Sequence, residues 1–202
     1  MAGFANGNPG NINSTNTTNI KQTQGRLFEA IKQIDAGVLN VGYAEAGAAD
    51  GPAVILLHGW PYDIYSFADV TPLLAVAGYR VIIPYLRGYG TTKFLSAETF
   101  RNGQQSVLAL NIINLMVRIG AGDAKYDDLE KRLAAAPVIN VPSITLEGDA
   151  NGAPHPDSGV YAKKFSGRYV HRVINGGVGH NLPQEAPKAF AEAVVEVDTF
   201  SK

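Results

Sequence analysis

The sequence predicts an α/β fold in which a mostly parallel sheet is covered by helices on both faces. Short strand-like runs with little polar alternation lie at residues 53–57, 80–85 and 141–146, the pattern of strands buried on both sides. Between the first two, residues 65–77 place Phe67, Val70, Leu73 and Leu74 at helical spacing before Gly78, a helix stop. Strand, helix and strand at this separation make a right-handed crossover, the connection that parallel strands need.

Composition narrows what such a domain does. With 202 residues, 46% of them hydrophobic and 17% charged, the chain has enough to bury one sizeable core. A net charge of -1 gives no electrostatic reason to expect nucleic acid or an anionic membrane as partner. No apolar run approaches the roughly 18 residues of a membrane span. The first 21 residues lack the basic start and apolar middle of a secretory signal, so a cytoplasmic location is the expectation. The absence of cysteine removes disulfides, thiolate metal sites and a cysteine nucleophile together. Histidines at 58, 155, 171 and 180 show no ligand spacing, so neither a metal nor another cofactor is expected.

In chain order, residues 1–25 are rich in Asn, Gly, Thr and Gln and are expected to form a disordered leader before one domain over 26–202. Residues 28–34 and 38–46 have the loose alternation of an antiparallel strand pair at a sheet edge. After the strand at 80–85, residues 104–119 carry Leu108, Ile112, Leu115 and Met116 on one helical face and stop at Gly120 and Gly122. Further helices are expected at 126–135, 158–165 and 183–197, and further strands at 141–146 and 169–174. No internal repeat or second domain is visible.

The stretch that carries chemistry is Pro52-Ala53-Val54-Ile55-Leu56-Leu57-His58-Gly59-Trp60-Pro61. Gly59 permits a sharp turn and Pro61 fixes the exit of the chain. The Trp60 N–H, past the strand, then has no ladder partner and points into a cleft at the carboxyl end of the sheet, where a developing negative oxygen can accept it. The plainer alternative for these residues is a buried strand that ends in a turn with a hydrogen-bonded histidine.

Three segments together, His58-Gly59-Trp60-Pro61, Leu86-Arg87-Gly88-Tyr89-Gly90-Thr91-Thr92 and Gly177-Val178-Gly179-His180-Asn181-Leu182-Pro183-Gln184-Glu185-Ala186-Pro187, resemble landmarks of the α/β-hydrolase family. The likeness is to its epoxide hydrolase and haloalkane dehalogenase branch. It implies a three-layer α/β-hydrolase-like fold and a small-molecule substrate. It also implies a nucleophile on a strand-to-helix elbow, a histidine that activates water, and an acid that orients it. His180 matches the base, while the amides of His58, Gly59 and Trp60 match the oxyanion strand. The orienting acid is sought in Thr145-Leu146-Glu147-Gly148-Asp149-Ala150-Asn151-Gly152. Asn151 holds the family's usual position, Asp149, a carboxylate two residues earlier, is the first choice, and Asp157 is a third. An Asn holds an imidazole but does not stabilise an imidazolium by charge. Trp60, Tyr62 and Tyr65 are candidates to line a substrate cleft. Arg87 is expected to bond neighbouring carbonyls, and Tyr85 stands where the family pattern has an acid.

The nucleophile is missing from this pattern. Glycine pairs four apart occur at Gly3/Gly7, Gly47/Gly51 and Gly148/Gly152, each with alanine in the middle. Asp123, in Gly120-Ala121-Gly122-Asp123-Ala124, is followed by Lys125 where an elbow wants a small residue. The resemblance therefore implies an internally shortened domain without the nucleophile strand, its helix, the next strand and the cap. Loss of a central strand leaves uncovered edges, an invitation to homo-oligomerisation or strand exchange.

Overall fold

The computed structural model describes residues 28, 30–101, 105–118, 138–152 and 158–200. The expected leader, the helix at 126–135, the turn bearing Asp123, and Asp157 lie outside them. Two sheets form. The first has the order β1 (Lys32–Ala36), β2 (Leu39–Ala46), β4 (Arg80–Pro84), β3 (Ala53–Ile55), with the short β5 (Lys93–Phe94) beside β2. The second is a pair, β6 (Ser143–Gly148) and β7 (Tyr169–Ile174). Pairings among β1, β2, β4 and β5 are antiparallel, whereas β3 with β4 and β6 with β7 are parallel.

The layers follow from side-chain alternation. On one face of the first sheet, Ala44, Val81 and Ile83 pack with Ile64, Phe67, Val70 and Leu74. Those last four come from a 3₁₀ turn (Ile64–Phe67) and from α1 (Val70–Val76). On the other face, Ala36, Leu39 and Val41 meet Leu115 of α2 (Gln105–Arg118). Three layers result, helices over both faces of a sheet, as two-sided burial of β4 requires.

Several expected boundaries shift for local reasons. The helix predicted over 65–77 is a 3₁₀ turn capped by Asp63, whose carboxylate accepts the Tyr65 N–H, followed by α1. Pro72 sits in the first turn of α1, where its missing N–H costs nothing. The first strand starts at Lys32 rather than at 28, because its pairing with β2 runs through Ala36 to a turn at Gly37. The strand expected at 141–146 begins after Pro142 and extends to Gly148. The helix expected at 183–197 is two: α4 (Leu182–Glu185) and α5 (Pro187–Thr199), divided at Ala186, because Pro187 favours extended backbone in the residue before it. A short α3 (Ser158–Ala162) precedes β7.

The strand at 53–57 departs from its expected burial on both sides. Only Ala53–Ile55 pair, Ala53 is exposed and Leu57 is 47% exposed. Among the described residues β3 bonds to β4 alone and β6 to β7 alone, so each keeps one unpaired edge. Helix α5 ties the halves together: Tyr79 Oη, just ahead of β4, donates to Asp198 Oδ2 at 3.1 Å, and Arg172 of β7 pairs with Glu196 at 2.6 Å. Packing of α1 against α5, with Ala191 inside the main cluster, makes that bridge apolar as well as polar.

Candidate active site

Residues of two of the three sequence landmarks, each following the carboxyl end of a strand, meet in one cavity of about 200 Å³. Its lining includes Leu57, His58 and Gly59 from the end of β3, Tyr62 and Phe67 beyond it, and His180 from the loop after β7. The Tyr62 and His180 rings stack with centroids 6.1 Å apart. A second cavity of about 250 Å³ shares His180 and runs along Ile144, Leu146, Phe190 and Val194.

His58 is a structural histidine that shapes the turn. Its buried ring accepts the Leu86 N–H at Nε2 (3.2 Å), sits 3.3 Å from the Gly59 carbonyl through Nδ1, and meets Tyr89 edge-on at 4.6 Å. Acceptance at Nε2 leaves the proton on Nδ1, the neutral tautomer. Burial lowers its pKa from the ordinary 6.5. The unfolded chain therefore takes up a proton on acidification that the native ring resists. Stability from this group is complete above about pH 6.5 and declines as pH falls below it. Thermal unfolding between pH 7.5 and 5 should show the decline, reduced in His58→Gln.

The Gly59–Trp60 turn offers an unused donor. The Trp60 N–H makes no hydrogen bond to a described residue, and the space at the Gly59 α-carbon is open. The indole of Trp60 is 80% exposed and lies outside the cavity lining, and Tyr65 packs on Phe28 at 5.5 Å within the core. Of the three aromatic candidates, Tyr62 reaches the cavity.

His180 is presented by a loop whose amides are held from two sides. Asp149, at the end of β6, accepts the N–H groups of Gly176, Gly177 and Val178, each at 2.9 Å. Those bonds, the Gly176 and Val178 amides foremost, keep its carboxyl below the ordinary range for an aspartate. Glu185 accepts the N–H groups of Gly179 at 2.6 Å and Asn181 at 3.0 Å. Asn181 is buried, and its amide donates to Ser66 Oγ at 3.1 Å, joining the loop to the 3₁₀ turn. The His180 ring itself is exposed and has no hydrogen-bonded partner among the described residues. Asp149 thus directs its oxygens at backbone, and Asn151 lies in the turn after β6 with its N–H on the Gly148 carbonyl at 3.3 Å.

Glu185, Asn181 and Ser66 were not singled out from sequence. The signal for the first was present, since an acid shortly after a helix N-cap reaches back to the cap amide. Gly148 is required for a different reason: a β-carbon there would overlap the carbonyl oxygens of Val178 and Gly179. Gly148→Ala is expected to cost about 1–3 kcal/mol through overpacking and to shift the amide resonances of residues 176–181, which NMR measures.

Arg87 and Tyr85 shape the neighbouring loop. The Arg87 guanidinium donates to the Phe100 carbonyl at 2.5 Å and lies 4.5 Å over the Phe94 ring. Tyr85 is buried, its hydroxyl pushed up to about 12 by that burial, and its ring occupies the space beside Gly90. No group of three or more potential metal ligands occurs among the described residues, and none of the described helices is long and apolar enough to cross a membrane.

Comparison with known proteins defines the class. The family model described as alpha/beta hydrolase fold matches residues 52–116. A haloalkane dehalogenase of Mycobacterium marinum is 45% identical over 56 residues, 28% of this chain and 19% of that protein. Epoxide hydrolase A of Mycobacterium tuberculosis is 44% identical over 93 residues, 46% of this chain and 28% of that one. Among solved structures, a candidate epoxide hydrolase from Klebsiella pneumoniae superposes with a TM-score of 0.78 at 35% identity, covering 87% of this chain and 99% of that one. The chain belongs to the α/β-hydrolase family, and within it is similar to the epoxide hydrolases and haloalkane dehalogenases. Its matches span less than a third of the two mycobacterial proteins.

Proposed function

We propose that the chain hydrolyses small apolar epoxides, esters or haloalkanes without the covalent route, His180 activating water directly. Support comes chiefly from one observation, the shared cavity of about 200 Å³ that has His58–Gly59 on one wall and His180 on another. In this scheme His180 takes a proton from water as the hydroxide oxygen bonds the substrate carbon. In an epoxide the breaking C–O bond leaves its electron pair on oxygen, which faces the Trp60 N–H and recovers the proton from His180. Asp149 or Asn151 steadies the base, and Tyr62 contacts the substrate.

The sequence lacks a Gly-x-nucleophile-x-Gly elbow, so the rate is expected to be far below that of an enzyme with one. Incubation with an aryl epoxide and an activated ester, followed by product analysis and intact mass, tests this. Product above the buffer rate with no mass adduct supports it; a covalent adduct shows instead that a nucleophile is present. Complete absence of turnover favours a second reading, a non-catalytic binding module on a hydrolase scaffold, which the missing elbow motivates.

A homo-oligomer belongs to the same proposal, because the edges of β3 and β6 are unpaired among the described residues. Sedimentation velocity across a hundredfold concentration range should show association; a constant monomer rules it out. A cytoplasmic setting is also proposed, and fractionation of expressing cells tests it.

A further inference from the structure

The loop from Gly176 to Asn181 contains six backbone N–H groups, and carboxylate oxygens accept five of them. Asp149 takes those of Gly176, Gly177 and Val178, and Glu185 takes those of Gly179 and Asn181. The one left over is that of His180. Glu185 thus grips the backbone immediately before and immediately after the histidine, with one oxygen on each side. An ionised carboxylate accepting two amides forms charge-assisted bonds, shorter and stronger than neutral ones, and 2.6 Å to Gly179 fits that character. A β-carbon at Gly179 would press on the Glu185 carboxylate, so a larger residue there would displace the acid from this position.

We propose that Glu185 is a positioning residue for His180: it fixes the direction of the imidazole through the peptide on either side rather than by touching the ring. The assignment rests on His180 being the functional histidine of the cavity. The consequence is an anchoring of the ring that needs no acid bonded to the imidazole itself. The imidazole faces Tyr62 because the backbone torsions around it are held from outside, by an acid at the end of α4, while Asp149 secures the preceding three amides. Asn181, bonded to Ser66 and to Gln184 Oε1 at 2.9 Å, anchors the far end of the same loop to the cavity wall.

The experiment uses the full chain, with histidine rings labelled for NMR and the His180 signal identified by its loss in His180→Ala. Wild type is expected to show a contact between the His180 and Tyr62 rings and downfield, slowly exchanging amide protons at Gly179 and Asn181. In Glu185→Ala both amides move upfield and exchange faster, and the ring contact is lost. Glu185→Gln keeps one acceptor oxygen and loses one of the two bonds, so it falls between the two. It serves as the folded comparison should the alanine variant not fold. Where turnover is measurable, kcat in Glu185→Ala falls by about 10²-fold with KM held, as expected for a misplaced base. If the ring contact and the His180 shift stay at wild-type values in Glu185→Gln and Glu185→Ala while only melting temperature drops, the residue is merely structural and the proposal fails. Equal turnover in wild type and His180→Ala instead overturns the hydrolytic function, and the NMR result still decides whether Glu185 sets the ring.

Discussion

His180→Ala is expected to reduce hydrolysis of a small apolar epoxide by about 10²–10⁴-fold, the range a positioned general base contributes. With no side chain known to attack, water is the nucleophile in this account, and its activation falls to the imidazole. The residual rate should approach that of buffer, since only the Trp60 N–H and the cavity walls remain to help. His171, within β7, provides the control. Its ring is tied to Thr145 Oγ1 at 2.9 Å through Nδ1, lies 3.5 Å from Glu147 through Nε2 and stacks on Tyr161, away from the residues that line the cavity. His171→Gln should therefore leave the rate near wild type, whereas comparable losses in both variants would point to general instability.

Leu74→Ala should cost about 2–5 kcal/mol, the usual range for emptying a fully enclosed aliphatic site. Leu74 is 0% exposed in α1 and belongs to the cluster that includes Ala191 of α5, with Val194 and Val195 packed against it. That contact carries more than local weight here. Among the described residues the two sheets share no ladder, so the α1–α5 seam is a principal means by which unfolding of one half is felt by the other. The variant should melt earlier, and its near-ultraviolet and far-ultraviolet transitions should separate. Coincident transitions with a shift under about 1 kcal/mol would mean that the seam does not join the halves.

Much of this architecture was legible because burial imposes a period. Residues 169–174, whose sequence alternates, form strand β7, and the run at 80–85 became a strand with partners on both sides. Proline explains two of the boundaries that moved. Pro142 delays β6 and Pro187 divides the last helix, effects of a single residue inside a longer apolar pattern. The over-estimated burial of the strand at 53–57 has another origin: five consecutive apolar residues describe a strand with two neighbours, and among the described residues β3 has one.

The site was readable in part. Gly59 and His58 could be singled out because glycine and proline turn the chain at a strand end, and His180 because its segment resembles the base motif of the family; all three line a common cavity. The work of Asp149 could not be read, since its partners Gly176 to Val178 lie 27 to 29 residues away and bond through backbone, which leaves no mark on residue type. His58 likewise depends on a tertiary contact, the Leu86 N–H 28 residues on. Trp60 was legible as a backbone donor but not as an exposed side chain, because exposure depends on what covers the turn.

Everything functional here depends on the base and the free amide facing the same small volume. Titration of the labelled protein with a small apolar carboxylate, which places a negative oxygen where a developing oxyanion would form, tests this directly. The Trp60 amide and the His180 ring are expected to shift together with one dissociation constant, and Gly59→Val to abolish both responses. Shifts confined to one of them, or two different constants, would show that they do not serve one site.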